Sequence, residues 1–260
     1  MAKKSRKTKK AKKGKDNKWQ SFKNKRAREL ETLAQILDRN PNICSNTYPI
    51  YEAAEECRQA SDRKWSYNLE RLIFQLTNLR HTIPKEVTDV SLELTIKVSG
   101  DCNPGNVSDP FESLEFNILI TGKRCDEPKN EVISSWHLDR DEANEEDGEQ
   151  EFIHPCYHFQ YGGRYMQDAR LDYGAALILE SPRIAHPPMD AILGVDFVLT
   201  NYFKSSRLAF REEGDYSNLL RAAQERIWRP YALALAEEWT ERSERNPWPP
   251  TRIWPQLSLS

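Results

Sequence analysis

The chain has 260 residues, 38% of them apolar and 30% charged, enough for one large domain or two small ones with a core and polar extensions. No stretch approaches the run of about 18 apolar residues that a membrane span requires, and the N-terminus lacks the apolar centre of a secretory signal. The net charge of -2 conceals a split: residues 1–28 hold 14 Lys and Arg against one acid, Asp16, which leaves 24 basic and 39 acidic residues elsewhere, a basic arm beside an acidic body.

Residues 1–18 are lysine-rich and contain no apolar residue beyond alanine and the initiator Met. They bury too little to offset ordering entropy and are expected to form a disordered basic arm. Lys3, Lys4, Arg6, Lys7, Lys9, Lys10, Lys12 and Lys13 suit sequence-independent attraction to a phosphate backbone. A tail serving solubility, or folding back on the acidic body, weighs equally. The arm has no aromatic residue, so base stacking is not expected of it.

A single α+β domain is expected over 19–245. Trp19 and Phe22 lead into Leu30, Leu33, Ala34 and Leu37 at helical spacing, stopped by Asn40-Pro41. A second helical region is predicted from Tyr48 to His81, with Tyr51, Ala54, Trp65, Leu69, Leu72, Ile73, Leu76 and Leu79 as its stripe, a break near Ser61-Asp62, and a stop at Ile83-Pro84. The period then changes to two. Leu92, Leu94, Ile96 and Val98 alternate with polar residues, as do Leu114, Phe116, Ile118 and Ile120, giving two strands with one wet face each. Further strands are predicted at 132–139, 152–161 and 175–180, with an acidic loop over 141–151.

A helix is expected after Pro187-Pro188, carrying Ile192, Val195, Leu199 and Tyr202, with Asp190 in its first turn. Asp196 within it either faces solvent or pairs with an arginine such as Arg183. A last helical region runs from Tyr216 to Arg242 and is kinked or divided at Pro230. Residues 246–260 form a tail rich in Pro and Trp that is not a regular helix. Trp248 and Trp254 could dock on a protein partner; packing on the protein's own helices is favoured. The whole reads as an antiparallel meander of about five strands with helices on its apolar face.

The five cysteines are scattered without a CxxC pair, which predicts reduced thiols and a cytoplasmic protein. Nucleotide, esterase and zincin fingerprints are absent. The chemical lead is His154-Pro-Cys-Tyr-His158. On a strand, His154, Cys156 and His158 share one face, opposite Tyr157 and Phe159. Ser135, His137 and Asp139 would occupy the same polar face of the preceding strand, and the stiff connector 181–188 would hold Arg183 and His186 beside it.

Three readings compete for this face. His154 and His158, with His137, His186 or a carboxylate, could bind a divalent metal, although two histidines that far apart on one strand make a poor clip. A metal-independent phosphodiester hydrolase acting on RNA or DNA could use His154 and His158 as acid and base, with His137, His186 and Arg183 assisting. Or the face is a solvated surface, and the protein is a non-catalytic module that binds nucleic acid or protein. Gly162-Gly163 is read first as a turn that needs positive φ, and second as a place of close ligand approach.

Overall fold

The period-two segments fold as the centre of a six-stranded antiparallel sheet in a computed structural model of the chain. The structure describes residues 2–61, 63–77, 79, 82, 84, 85, 87–102, 108–125, 131–141, 155–168, 183–239, 248–255 and 257, residues 2–17 through their backbone alone. The strands are β1 (Lys64–Gln75), β2 (Val87–Asp101), β3 (Ser113–Arg124), β4 (Glu131–Arg140), β5 (Tyr157–Tyr161) and β6 (Ile184–Ala185), paired in chain order as a meander. Helices α1 (Ala2–Asp38), α2 (Tyr48–Gln59), α3 (Arg164–Asp168), α4 (Ala191–Tyr202), α5 (Gly214–Ala236) and α6 (Pro250–Ile253) complete the α+β architecture expected from the sequence.

Alternation decides which face each strand buries. Leu92, Leu94, Ile96, Leu114, Phe116, Ile118, Leu138 and Tyr157 point to one side, and all are buried. Helix α4 lies directly on them. A Cβ at Gly194 would stand 2.6 Å from Phe116 Cε2 and 2.9 Å from Ile96 Cδ1, so glycine there permits the helix backbone to approach the sheet. The other side of α4 is also buried, through Ile192, Val195 and Leu199, because α1 and α5 pack over it. Asp190 is the N-cap of α4, one step before the predicted first turn, and accepts hydrogen bonds from the Ile192 and Leu193 amides.

The predicted second helix ends early. Among its described residues only Tyr48–Gln59 is helical, and Trp65–Leu76 belongs to β1 and its end. Trp65, Tyr67 and Leu69 are buried, then Leu72, Phe74 and Leu76; the register shifts between Leu69 and Leu72, and Arg71 has φ 54°. A bulge thus changes the phase of the alternation in mid-strand. Two half-strands out of phase leave apolar residues at 65, 69, 72 and 76, spacings of four and three that imitate a helix stripe.

Three further expectations shift. Strand 152–161 begins only at Tyr157, and residues 152–154 lie outside the described residues. The predicted strand 175–180 lies outside them as well, whereas Ile184–Ala185 of the expected connector pairs with β5 as a sixth strand. Pro230 lies inside α5, which stays one helix through it, and the expected end at Arg242 lies outside the described residues.

Helix α1 starts at Ala2, within the segment expected to be disordered. Its buried stripe is Lys23, Arg26, Ala27, Leu30, Leu33, Ala34 and Leu37, so two of the 14 basic residues of the N-terminal stretch belong to the core. In the C-terminal tail, α6 forms one short turn with Pro250 at its start, and Trp248 is buried between Tyr157 and Tyr231. No described helix is long and apolar enough to cross a membrane.

Candidate functional site

The polar face of β4 and β5 takes its shape from strand register. Asp139 stands opposite His158, and His137 opposite Gln160. His137 Nε2 lies 3.5 Å from Asp139 Oδ2 and 3.3 Å from Gln160 Oε1. Ser135 is the next residue along the same row, and Arg183 reaches the field of Asp139 from the segment before β6. His137, Asp139, His158 and Gln160 therefore share one face, as the alternation predicted, and Arg183 joins them from the connector.

That face is not wet at this end. After β5 the chain turns through Gly162 and Gly163, both with positive φ, 96° and 86°. The Gly162 amide donates to the Ser135 carbonyl at 2.8 Å. A Cβ on Gly163 would meet His137 Cε1 and Nδ1 at 3.0 Å, so a side chain there would crowd the imidazole. The glycine pair thus follows its first reading, a turn that needs left-handed backbone, and what approaches Gly163 closely is the protein's own His137. Helix α3 follows with Met166 buried, and Ser135, His158 and Gln160 are buried too. His158 is only 4% exposed, and its Nδ1 is 3.1 Å from the Pro155 carbonyl. Burial pushes the Asp139 carboxyl above its ordinary range; Glu115 and Asp141 reinforce this, while His137 and Arg183 oppose it.

His186 does not join the group. Because Ala185 pairs with His158 and Ile184 with Phe159, the next residue falls on the Phe159 side of the sheet. Its ring lies 5.4 Å from Phe159 and 6.0 Å from Phe197, within the apolar layer. Nδ1 bonds the Pro187 carbonyl at 2.7 Å. Burial lowers the His186 pKa and so favours the neutral ring, with the Pro187 carbonyl opposing. Cys156 also departs from the predicted row. The strand starts one residue after it, and Cys156 joins the core, close enough for its charge to add to the burial that pushes the Tyr231 hydroxyl up to about 12. His154 lies outside the described residues, as do the side chains of Lys3, Lys4, Arg6, Lys7, Lys9, Lys10, Lys12 and Lys13.

Among the described residues no three His, Cys, Asp or Glu side chains are grouped to hold a metal ion. Among the described residues the acid–base inventory of this face is therefore His137 beside Asp139, with Arg183 as a neighbouring cation. His158 is sequestered, and His186 is on the other side.

Three polar clusters lie away from this face; the sequence left Asp196 open between solvent and an arginine partner, and it paired neither of the other two. Asp196 accepts from Arg211 at 2.8 and 3.1 Å and from the Tyr216 hydroxyl at 2.9 Å, and not from Arg183. Asp109 accepts from Tyr157 and, at 2.9 Å, from Arg140. Arg226 spans Asp190 at 2.7 Å and Glu29 at 3.2 Å. Only Asp190 carried a local signal, as a capping residue ahead of an apolar run; the other partners are far apart in sequence. Comparison with protein families, with curated proteins and with solved structures gave no match.

Proposed function

We propose that the protein is a nucleic-acid-binding module in which the basic N-terminal segment contacts phosphates and the α+β body is not a hydrolase. The observation that carries this reading is the fate of the histidines. Of the three described, one is buried against a main-chain carbonyl and one is wedged between phenylalanines. Among the described residues, His137 with its neighbours Asp139 and Gln160 is then the one imidazole left in a polar setting, not one of a pair.

The charge pattern supports the arm as the contact. Residues 1–18 hold ten Lys and Arg and one Asp. On a helical backbone of about 1.5 Å per residue they span about 25 Å, with about 100° between successive positions, so basic positions fall all round the axis and no apolar sector is left for a bilayer. On the sheet, Arg71–Glu93, Lys97–Glu115 and Lys123–Asp89 already pair at 3.1, 3.9 and 3.4 Å, which leaves these cations partly neutralised, whereas the sequence of the arm carries a net charge of +9 over residues 1–18.

The test is binding of labelled duplex DNA and RNA across a salt series. The logarithm of affinity should fall with the logarithm of salt by about 0.9 per phosphate engaged. A variant with Lys3, Lys4, Arg6, Lys7, Lys9, Lys10, Lys12 and Lys13 replaced by Gln should lose most of that slope; an unchanged slope overturns the reading. A hydrolase remains the second reading, because His137, Asp139 and Arg183 share one face. Substrate shortened by the wild type and left intact by His137→Ala would establish it instead.

A further inference from the structure

The N-terminal helix is held to the rest of the molecule by ionised groups as well as by its apolar stripe. Arg26 Nη2 bonds Glu29 Oε1 at 2.9 Å. Arg226 of α5 reaches Glu29 Oε2 at 3.2 Å and Asp190 Oδ2 at 2.7 Å. Asp190 in turn caps α4. Four charges from three parts of the chain thus meet inside the protein, and their side chains are 6 to 14% exposed.

We propose that Arg26, Glu29, Asp190 and Arg226 form a proton-linked clasp that fastens α1 to α5 and to the start of α4, tightening as the medium passes from mildly alkaline to mildly acidic. The inference is separate from the nucleic-acid reading and needs no ligand.

The geometry sets two buried carboxylates on one guanidinium. Glu29 faces Arg26 and Lys25 from its own helix, Arg226 from α5 and Asp190 from the start of α4. Asp190 faces Arg226, Arg26 and, from β1, Tyr67, whose hydroxyl accepts from the Ala191 amide at 3.0 Å. Cys57 of α2 lies in the field of Arg26 and Lys23, and Lys23 donates its own bond to the Ala60 carbonyl. Arg26 Nε and Nη1 are buried without a hydrogen-bond partner among the described residues; the guanidinium rests 5.2 Å from the Phe22 ring instead. The cluster balances charge and leaves polar atoms unsatisfied. Burial pushes Glu29 up to about 7, with Arg26 opposing and Asp190 adding repulsion. Burial pushes Asp190 up to about 6, with the Leu193 amide and Arg26 opposing.

The folded protein therefore holds protons that the unfolded chain has released. Linkage then makes the clasp strongest below the ordinary carboxylate range and progressively weaker as pH rises through about 6 to 7. Protonating one carboxyl removes the repulsion between the pair and the desolvation of one charge.

The test is amide hydrogen exchange at about pH 5.5 and about pH 8, corrected for intrinsic rates, with α1 residues 27–37 referred to β2. Protection of α1 relative to β2 should fall several-fold at the higher pH, and Glu29→Gln should flatten that change. An equal change in Glu29→Gln, or no change relative to β2 in the wild type, overturns the proposal. If Glu29→Gln does not fold, carboxyl NMR titration of wild-type Glu29 decides. A midpoint near neutrality supports the clasp, and an ordinary carboxylate midpoint overturns it.

Discussion

Asp196 shows how a single polar side chain can be tolerated inside a helix that is otherwise apolar. It is 9% exposed, and its carboxylate meets the Arg211 guanidinium and the Tyr216 hydroxyl. Burial and the Asp196 charge push the Tyr216 hydroxyl far up and keep it a donor. Asp196→Ala strands both partners. Urea unfolding should record a loss of about 3 kcal/mol, the cost of a buried pair broken on one side. Asp196→Asn, which retains an acceptor, should lose less. The same logic separates the histidines: His137 has two polar neighbours on the strand, whereas His186 has phenylalanines and one carbonyl.

Among the elements, β1 is the one whose sequence misleads. Its bulge holds Arg71 at φ 54°, a left-handed conformation that costs a non-glycine residue about 1 to 2 kcal/mol. Arg71→Gly relieves it and gives up an ion pair to Glu93 whose arginine is 72% exposed, worth little in solvent. Set against the greater chain entropy of glycine, the variant should gain about 0.5 kcal/mol in chemical denaturation. A loss of stability would show that the Arg71 side chain matters more than its backbone. Elements without such a phase change were legible. In β2 and β3, Leu92 to Val98 and Leu114 to Ile120 keep one register along their amphipathic stretch, so period two survives in the sequence. In α1, Leu30, Leu33, Ala34 and Leu37 mark a buried stripe directly. β5 was legible in its faces but not in its start, because His154 to Cys156 continue the alternation on paper while Cys156 turns into the core.

Across the whole molecule, the two ends of the chain are anchored by different means: α1 by its apolar stripe and a charged clasp, the C-terminal tail by an aromatic plug. Trp248 is 3% exposed and lies 6.1 Å from the Tyr157 ring and 5.9 Å from the Tyr231 ring. Trp248→Ala should therefore cost about 3 kcal/mol in urea unfolding, the scale of emptying a large core site, although the residue sits in a segment whose composition reads as a tail. Sequence by itself determined the α+β class, the meander, the sidedness of β2, β3 and β5, and the gathering of His137, Asp139 and His158 on one face. These follow from local periodicity, which each segment carries within itself. Only the tertiary structure decided that His158 is sequestered against the Pro155 carbonyl, that His186 belongs to the opposite layer, and that Arg226 joins Glu29 to Asp190. Burial and pairing depend on which distant segment arrives on top, and no short window of sequence contains that information.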